Sequence, residues 1–249
     1  MERKLWNRTM WYLTFLLFIS FVSFTACDDD DNPVTKRTFH VTIQNVSTAT
    51  TLQLGALPDR TAPLSPGAWA VVESGTIFDL NQEATLEIEQ LAEEGSPTLL
   101  AAQFALDNDI AESGEFSSQG GPDNGPIIAA GESTTFSFDA DPGDKLQIMT
   151  MFGNSNDWFY AFGNGGLDLF NGNDAIEGDQ TSKIVLYDAG TELDEMPGLG
   201  INQKPDHPTT INIGPIDPVD MITNAMSRHT SFVIPANNSV IKVTVTSEK

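Results

Sequence analysis

Phe39-His40-Val41-Thr42-Ile43-Gln44 carries an apolar residue at every second position. Strand side chains point to opposite faces in turn, so this hexapeptide buries one face and wets the other. Segments of the same kind recur at residues 134–138, 146–152, 183–187, 210–213, 231–234 and 240–246. Each is short, rich in Val, Ile, Thr or Phe, and bounded by Gly, Pro, Asn or Asp. One buried and one wet face is the pattern of antiparallel sheets, and two such sheets face to face make a sandwich. The expected fold is all-β, an antiparallel β-sandwich.

Residues 83–94 depart from this pattern. Leu86, Leu91 and Ala92 stand among acids and the run stops at Gly95, which predicts one short helix covering an end of the sandwich. Residues 114–131, with Gly-Gly-Pro and Gly-Pro steps, read as a long loop. No composition shift divides the chain from residue 38 to 249, so a single domain is expected there.

Residues 1–26 read as a leader. Arg3, Lys4 and Arg8 precede an apolar run over residues 10–24, too short for a membrane-spanning helix. Phe24-Thr25-Ala26-Cys27 resembles the bacterial lipobox, with Phe24 where Leu is usual, and implies lipidation at Cys27. Cys27 is the only cysteine of 249 residues, so no intramolecular disulfide can form. Residues 27–37, with Asp28-Asp29-Asp30-Asp31, form a solvated acidic tether. Its acids resemble the signal that sends some lipoproteins to the outer face of the outer membrane, so a lipid-anchored, surface-exposed lipoprotein is expected.

The net charge is −23, and loss of the leader makes it −25. A nucleic-acid partner would require a basic face, which excludes that class. An acidic surface instead collects cations. The most informative acids lie in Asn156-Asp157-Trp158-Phe159 and Tyr187-Asp188-Ala189-Gly190-Thr191-Glu192. If the first motif opens a strand and the second closes its antiparallel return, Asp157 and Asp188 meet at one end, and Glu192 joins them across the Gly190 turn. Converging carboxylates repel unless a cation intervenes, and Ca²⁺ accepts all-oxygen ligation from loops. Solvated loop acids flanking two strands are the alternative.

The same motifs resemble the spondin N-terminal domain family, known from F-spondin, mindin and bacterial lipoproteins. Residues 39–46, the acidic leucine-alanine-glutamate helix at residues 84–95, Gly125-Pro126-Ile127, residues 198–203 and residues 229–235 fit as well. The resemblance spans residues 39–246 and implies a C2-like β-sandwich with one calcium ion at its loop end. Asp157, Asp188 and Glu192 are the ligands it implies, with Glu192 standing where the animal domains have Asp. Their cysteines are missing from residues 28–249.

Other chemistries are weakly represented. Residues 164–179 resemble calcium-binding nonapeptide repeats, but Asp168 and Asp174 are six apart rather than nine, so a turn between strands is the better reading. His40, His207 and His229 lack a zinc spacing, and Gly-x-Ser-x-Gly is absent. No enzyme is expected. The expectation is a calcium-bound surface module for adhesion or extracellular ligand binding, its partner a protein or a glycan. The alternative is a carbohydrate-binding surface lipoprotein using aromatic residues and the calcium loops; Trp69 and Trp158 are the candidate aromatics, although tryptophan in a sandwich is more often core.

Overall fold

The structure, a computed structural model, describes residues 35–118, 126–204 and 211–248. The leader, Cys27 and the acidic run lie outside the described residues. The elements, in chain order, are β1 (Arg37–Asn45), β2 (Leu64–Val72), α1 (Leu86–Glu94), α2 (Thr98–Phe104), β3 (Ile110–Phe116), β4 (Ser133–Ala140), β5 (Lys145–Phe152) and β6 (Trp158–Phe162). There follow β7 (Leu167–Asp168), β8 (Phe170–Asn171), β9 (Asp174–Ala175), β10 (Gly178–Asp179), β11 (Ile184–Asp188), β12 (Thr223–Asn224), α3 (Ala225–Arg228) and β13 (Ile241–Glu248).

The alternation in β1 becomes a sheet face. Phe39, Val41 and Ile43 are fully buried, and β1 pairs antiparallel with both β4 and β13. The order of that sheet is β10-β13-β1-β4. The second sheet runs β12-β11-β6-β5-β2-β3, with β7 also on β5, and its pairs are antiparallel too. Between the sheets, Phe39, Val41 and Val243 pack in one core with Trp69, Ile148, Trp158, Tyr160 and Leu186. The chain is an all-β sandwich, as the alternation predicts.

The central strands β5 and β6 are apolar on both faces. Trp158, Tyr160 and Phe162 enter the inter-sheet core, whereas Phe159 and Ala161 join a second core with Ile88, Leu91, Leu100 and Phe104. The helices therefore cover the outer face of the second sheet, which corrects the expected position of the helix at an end of the sandwich. There are also two such helices, not one: α1 stops at Gly95 in the left-handed conformation, and α2 follows directly. Two further expectations fail. Residues 231–234 are not a strand, and neither are residues 211–213 of the expected strand at 210–213, residue 210 lying outside the described residues. Gly114, expected in a loop, lies inside β3, where its missing side chain leaves room for the Trp69 indole.

Candidate cation site

β6 and β11 run antiparallel, with Asp188 opposite Trp158. Asp157, one residue before β6, therefore lies beside the end of β11, and Ala189 N–H donates to its carbonyl at 3.1 Å. Both carboxylates are fully buried. The chain after Asp188 must turn sharply: its Oδ1 accepts from Gly190 N–H at 2.7 Å, and Gly190 takes φ +75°. A side chain there would meet the Met221 backbone at 2.5 Å, so only glycine fits.

The turn brings Thr191 and Glu192 over Asp157. Asp157 Oδ2 accepts from Thr191 N–H at 2.7 Å, from the Thr191 hydroxyl at 3.1 Å and from Glu192 N–H at 3.0 Å. Its other oxygen, Oδ1, is buried without a hydrogen bond. Burial pushes the Asp157 carboxyl well above its ordinary value, and the nearby Asp188 and Asp194 push it further.

Asp194 is the acid that completes this group. The segment after Glu192 is pinned by buried Asn156, whose Oδ1 accepts from Glu195 N–H at 3.0 Å, and by Gln203, whose Nε2 donates to the carbonyls of Glu195 and Met196. Asp194 then faces Trp158, whose indole N–H donates to Oδ1. Burial raises its pKa to about 6.

From the other side come Arg228 and His229. α3 is capped by Asn224, which accepts from Ser227 N–H at 3.0 Å, and anchored by buried Ala225. Arg228 reaches Asp188 Oδ2 at 3.0 Å and also pairs with buried Asp217. His229 Nε2 lies 2.7 Å from Asp188 Oδ2 and 3.0 Å from Asp194 Oδ2. One ring N–H cannot be aimed at two oxygens; Asp188 takes the hydrogen bond, and Asp194 Oδ2 is left without one. The imidazole packs against both Trp158 and Phe232, at centroid distances of 5.2 and 5.1 Å, and those two rings lie 6.3 Å from each other. Its two carboxylate partners outweigh burial and raise its pKa to about 9.

Of the three acids singled out in the sequence, Asp157 and Asp188 come together. Glu192 contributes its backbone to Asp157, but its side chain turns away to accept from Gly214 N–H at 2.8 Å. The set of three donor atoms lying within 4.8 Å of one another, among the described residues, is Asp188, Asp194 and His229. No motif or spacing in the sequence marks Asp194, Arg228 or His229 as site residues. The run Glu192-Leu193-Asp194-Glu195 offers three acids, and spacing alone does not choose between them.

The donor chemistry suits a hard divalent cation. Asp157, Asp188, Asp194 and Asp217 carry four formal negative charges against two from Arg228 and protonated His229. The difference equals the charge of one divalent ion, and the unpaired Asp157 Oδ1 is an oxygen that could ligate one. Burial, with repulsion from neighbouring carboxylates, raises the pKa values of Asp157 and Asp194, and a cation would offset both effects.

Compared with models of known protein families and with curated proteins, the chain matches none.

Proposed function

We propose that the chain is a non-enzymatic, calcium-binding surface lipoprotein module whose loop end engages an extracellular protein. The observation that carries this reading is that Asp188 and Asp194 stand close enough to the buried Asp157 to oppose its ionisation, while Asp157 Oδ1 is satisfied by no hydrogen bond. These three would hold the ion, with Glu192 contributing through its backbone to the orientation of Asp157. The ion would supply charge compensation, allowing the segments 189–204 and 211–222 to keep one shape. Exposed Leu193, Ile201, Ile216 and Val219 on those segments give a partner something apolar to bury. Anchoring through Cys27 in the outer membrane, exposed at the cell surface, remains part of the proposal on the lipobox resemblance.

The alternative, carbohydrate binding by stacking, loses its aromatic platform. Trp69 and Trp158 are both buried, the latter between Phe152 and His229. The test is a panel of extracellular proteins and glycans probed in calcium and in EDTA. Calcium-dependent capture of proteins supports the reading, and glycan binding blocked by free sugar overturns it in favour of the alternative.

A further inference from the structure

The outer face of the first sheet is polar, and its side chains pair across the strands. β1 and β4 set Thr38 opposite Asp139, His40 opposite Ser137 and Thr42 opposite Thr135. Thr38 Oγ1 donates to Asp139 Oδ1 at 2.7 Å, and the hydroxyls of Thr42 and Thr135 lie 3.1 Å apart. Those two rows satisfy themselves. The row between them joins a hydroxyl to an imidazole: Ser137 Oγ lies 2.6 Å from His40 Nδ1.

The other ring nitrogen of His40 meets an acid. β13 sets Thr246 opposite His40, and Glu248, two residues on, reaches back along the diagonal to place Oε1 3.1 Å from Nε2. Nε2 is buried there without an aligned hydrogen bond, so Glu248 acts on it through charge. A carboxylate beside Nε2 favours the tautomer with its proton on that nitrogen, which leaves the Nδ1 lone pair to accept from Ser137. A hydroxyl, a base and an acid that orients the base therefore stand in sequence, and the hydroxyl end is exposed.

The strand edge adds a donor. β4 is the last strand of its sheet, and Asp139 N–H points away from β1, to Glu112 Oε2 at 3.1 Å. The alternation of ladder bonds turns Ser137 N–H, two residues earlier, to the same edge. Negative charge developing beside Ser137 Oγ would thus meet one backbone donor, the N–H of the serine itself.

We infer that Ser137 is a nucleophile that takes up an acyl group from activated esters, with His40 as its general base and Glu248 as a positioning residue. Ser137 Oγ bonds to the carbonyl carbon, its proton passes to His40 Nδ1, and the bond from that carbon to the leaving oxygen breaks. The leaving group departs with the proton from His40, and the product is an acyl ester of Ser137. The three residues lie on an open sheet face, so donors are selected by reactivity rather than by shape. With a single backbone donor, one acylation is favoured over rapid turnover. The site stands on the opposite sheet from Asp157 and Asp188 and needs no cation.

The full chain in EDTA at pH 8 is treated with p-nitrophenyl acetate, alongside S137A, H40Q and E248Q, and the acetylated peptides are mapped by mass spectrometry. Hydroxylamine cleaves esters and spares amides, which separates serine from lysine adducts. Ser133, exposed on the same face of β4 opposite Gln44, is the internal standard. Acetylation of Ser137 about 100-fold or more faster than Ser133 is expected, since general-base assistance contributes about 10²–10⁴-fold. H40Q loses that excess, because its amide accepts from the Ser137 hydroxyl without taking the proton. E248Q reduces the excess at an unchanged melting midpoint, and S137A leaves Ser133 at its wild-type rate. Ser137 acetylated no faster than Ser133 in wild type overturns the proposal, a comparison that needs no variant to fold. An undiminished rate in H40Q also overturns it, and an undiminished rate in E248Q overturns the role of Glu248.

Discussion

His229 Nε2 and Asp188 Oδ2 lie 2.7 Å apart, an ion pair between residues 41 positions apart in the chain, beneath the ring of Trp158. The pair joins α3 to the end of β11, and so ties the C-terminal part of the chain to the strand that carries the acidic turn. Breaking one partner of a buried ion pair costs about 3–5 kcal/mol because the other charge is stranded. H229A strands Asp194 and leaves Asp188 with Arg228 as its one cationic partner. It is expected to lower the melting midpoint in EDTA by roughly 6–20 °C, at about 2–4 °C per kcal/mol. A midpoint within a degree of wild type counts against the pair's importance.

Stability without added metal should fall as pH rises. His229 has a folded pKa raised from 6.5 to about 9, so its contribution is complete below 6.5 and is lost as pH rises through 9. Glu93 is raised from 4.5 to about 7 and Asp194 from 3.8 to about 6, by burial in both cases. Raised acids act in the same direction: the folded state holds their protons more tightly, and that advantage disappears as pH passes 6 and then 7. Urea midpoints in EDTA are expected to decline steadily from pH 5 to pH 9. A maximum at pH 8 would contradict these assignments.

Gly190 has no substitute. G190A adds a side chain at φ +75° and places it 2.5 Å from the Met221 backbone. A cost of about 2–4 kcal/mol is expected from strain and overpacking together. Urea denaturation measures it, and a loss under about 0.5 kcal/mol, the size of an ordinary surface substitution, would show that the turn relaxes freely.

N212A removes the amide that donates to Glu89 while leaving the backbone donor to Glu93. A single hydrogen bond to a charged, exposed partner is worth about 1 kcal/mol, and the left-handed backbone of Asn212, φ +58°, adds a further cost for alanine. Faster amide exchange at Asn212 and Gly214 is the expected signature. Unchanged exchange rates would mean that the grip on this segment lies elsewhere.

The strands with one wet face were legible from β1, β4 and β13 because burial of a single face imposes period two. β2 was not. Its sequence opens Leu64-Ser65-Pro66-Gly67, and proline and glycine ordinarily interrupt a strand. The register with β5 shifts between Leu64 and Gly67, and that irregularity is how the sheet accommodates them. β3 was hidden by its polar composition as an edge strand, and α2 by following α1 across only Gly95, Ser96 and Pro97. Asp157 and Asp188 could be placed together because strand register fixes both. The orientation of Glu192 toward Gly214, and the arrival of Asp194, Arg228 and His229, depend on the 189–204 loop and on α3, whose paths no local pattern encodes.

The central claim is that a divalent cation completes the Asp157–Asp188–Asp194 group, and the most direct measurement is a thermal melt of the full chain in EDTA and in 5 mM Ca²⁺, repeated on D188N. Extracellular calcium modules bind at about 10⁻⁴–10⁻³ M, so this concentration stabilises by about 1–2 kcal/mol. A calcium-specific rise of roughly 2–8 °C in wild type, reduced in D188N, is the predicted result. Equal midpoints in EDTA and calcium for wild type, or the same rise in D188N, would contradict it.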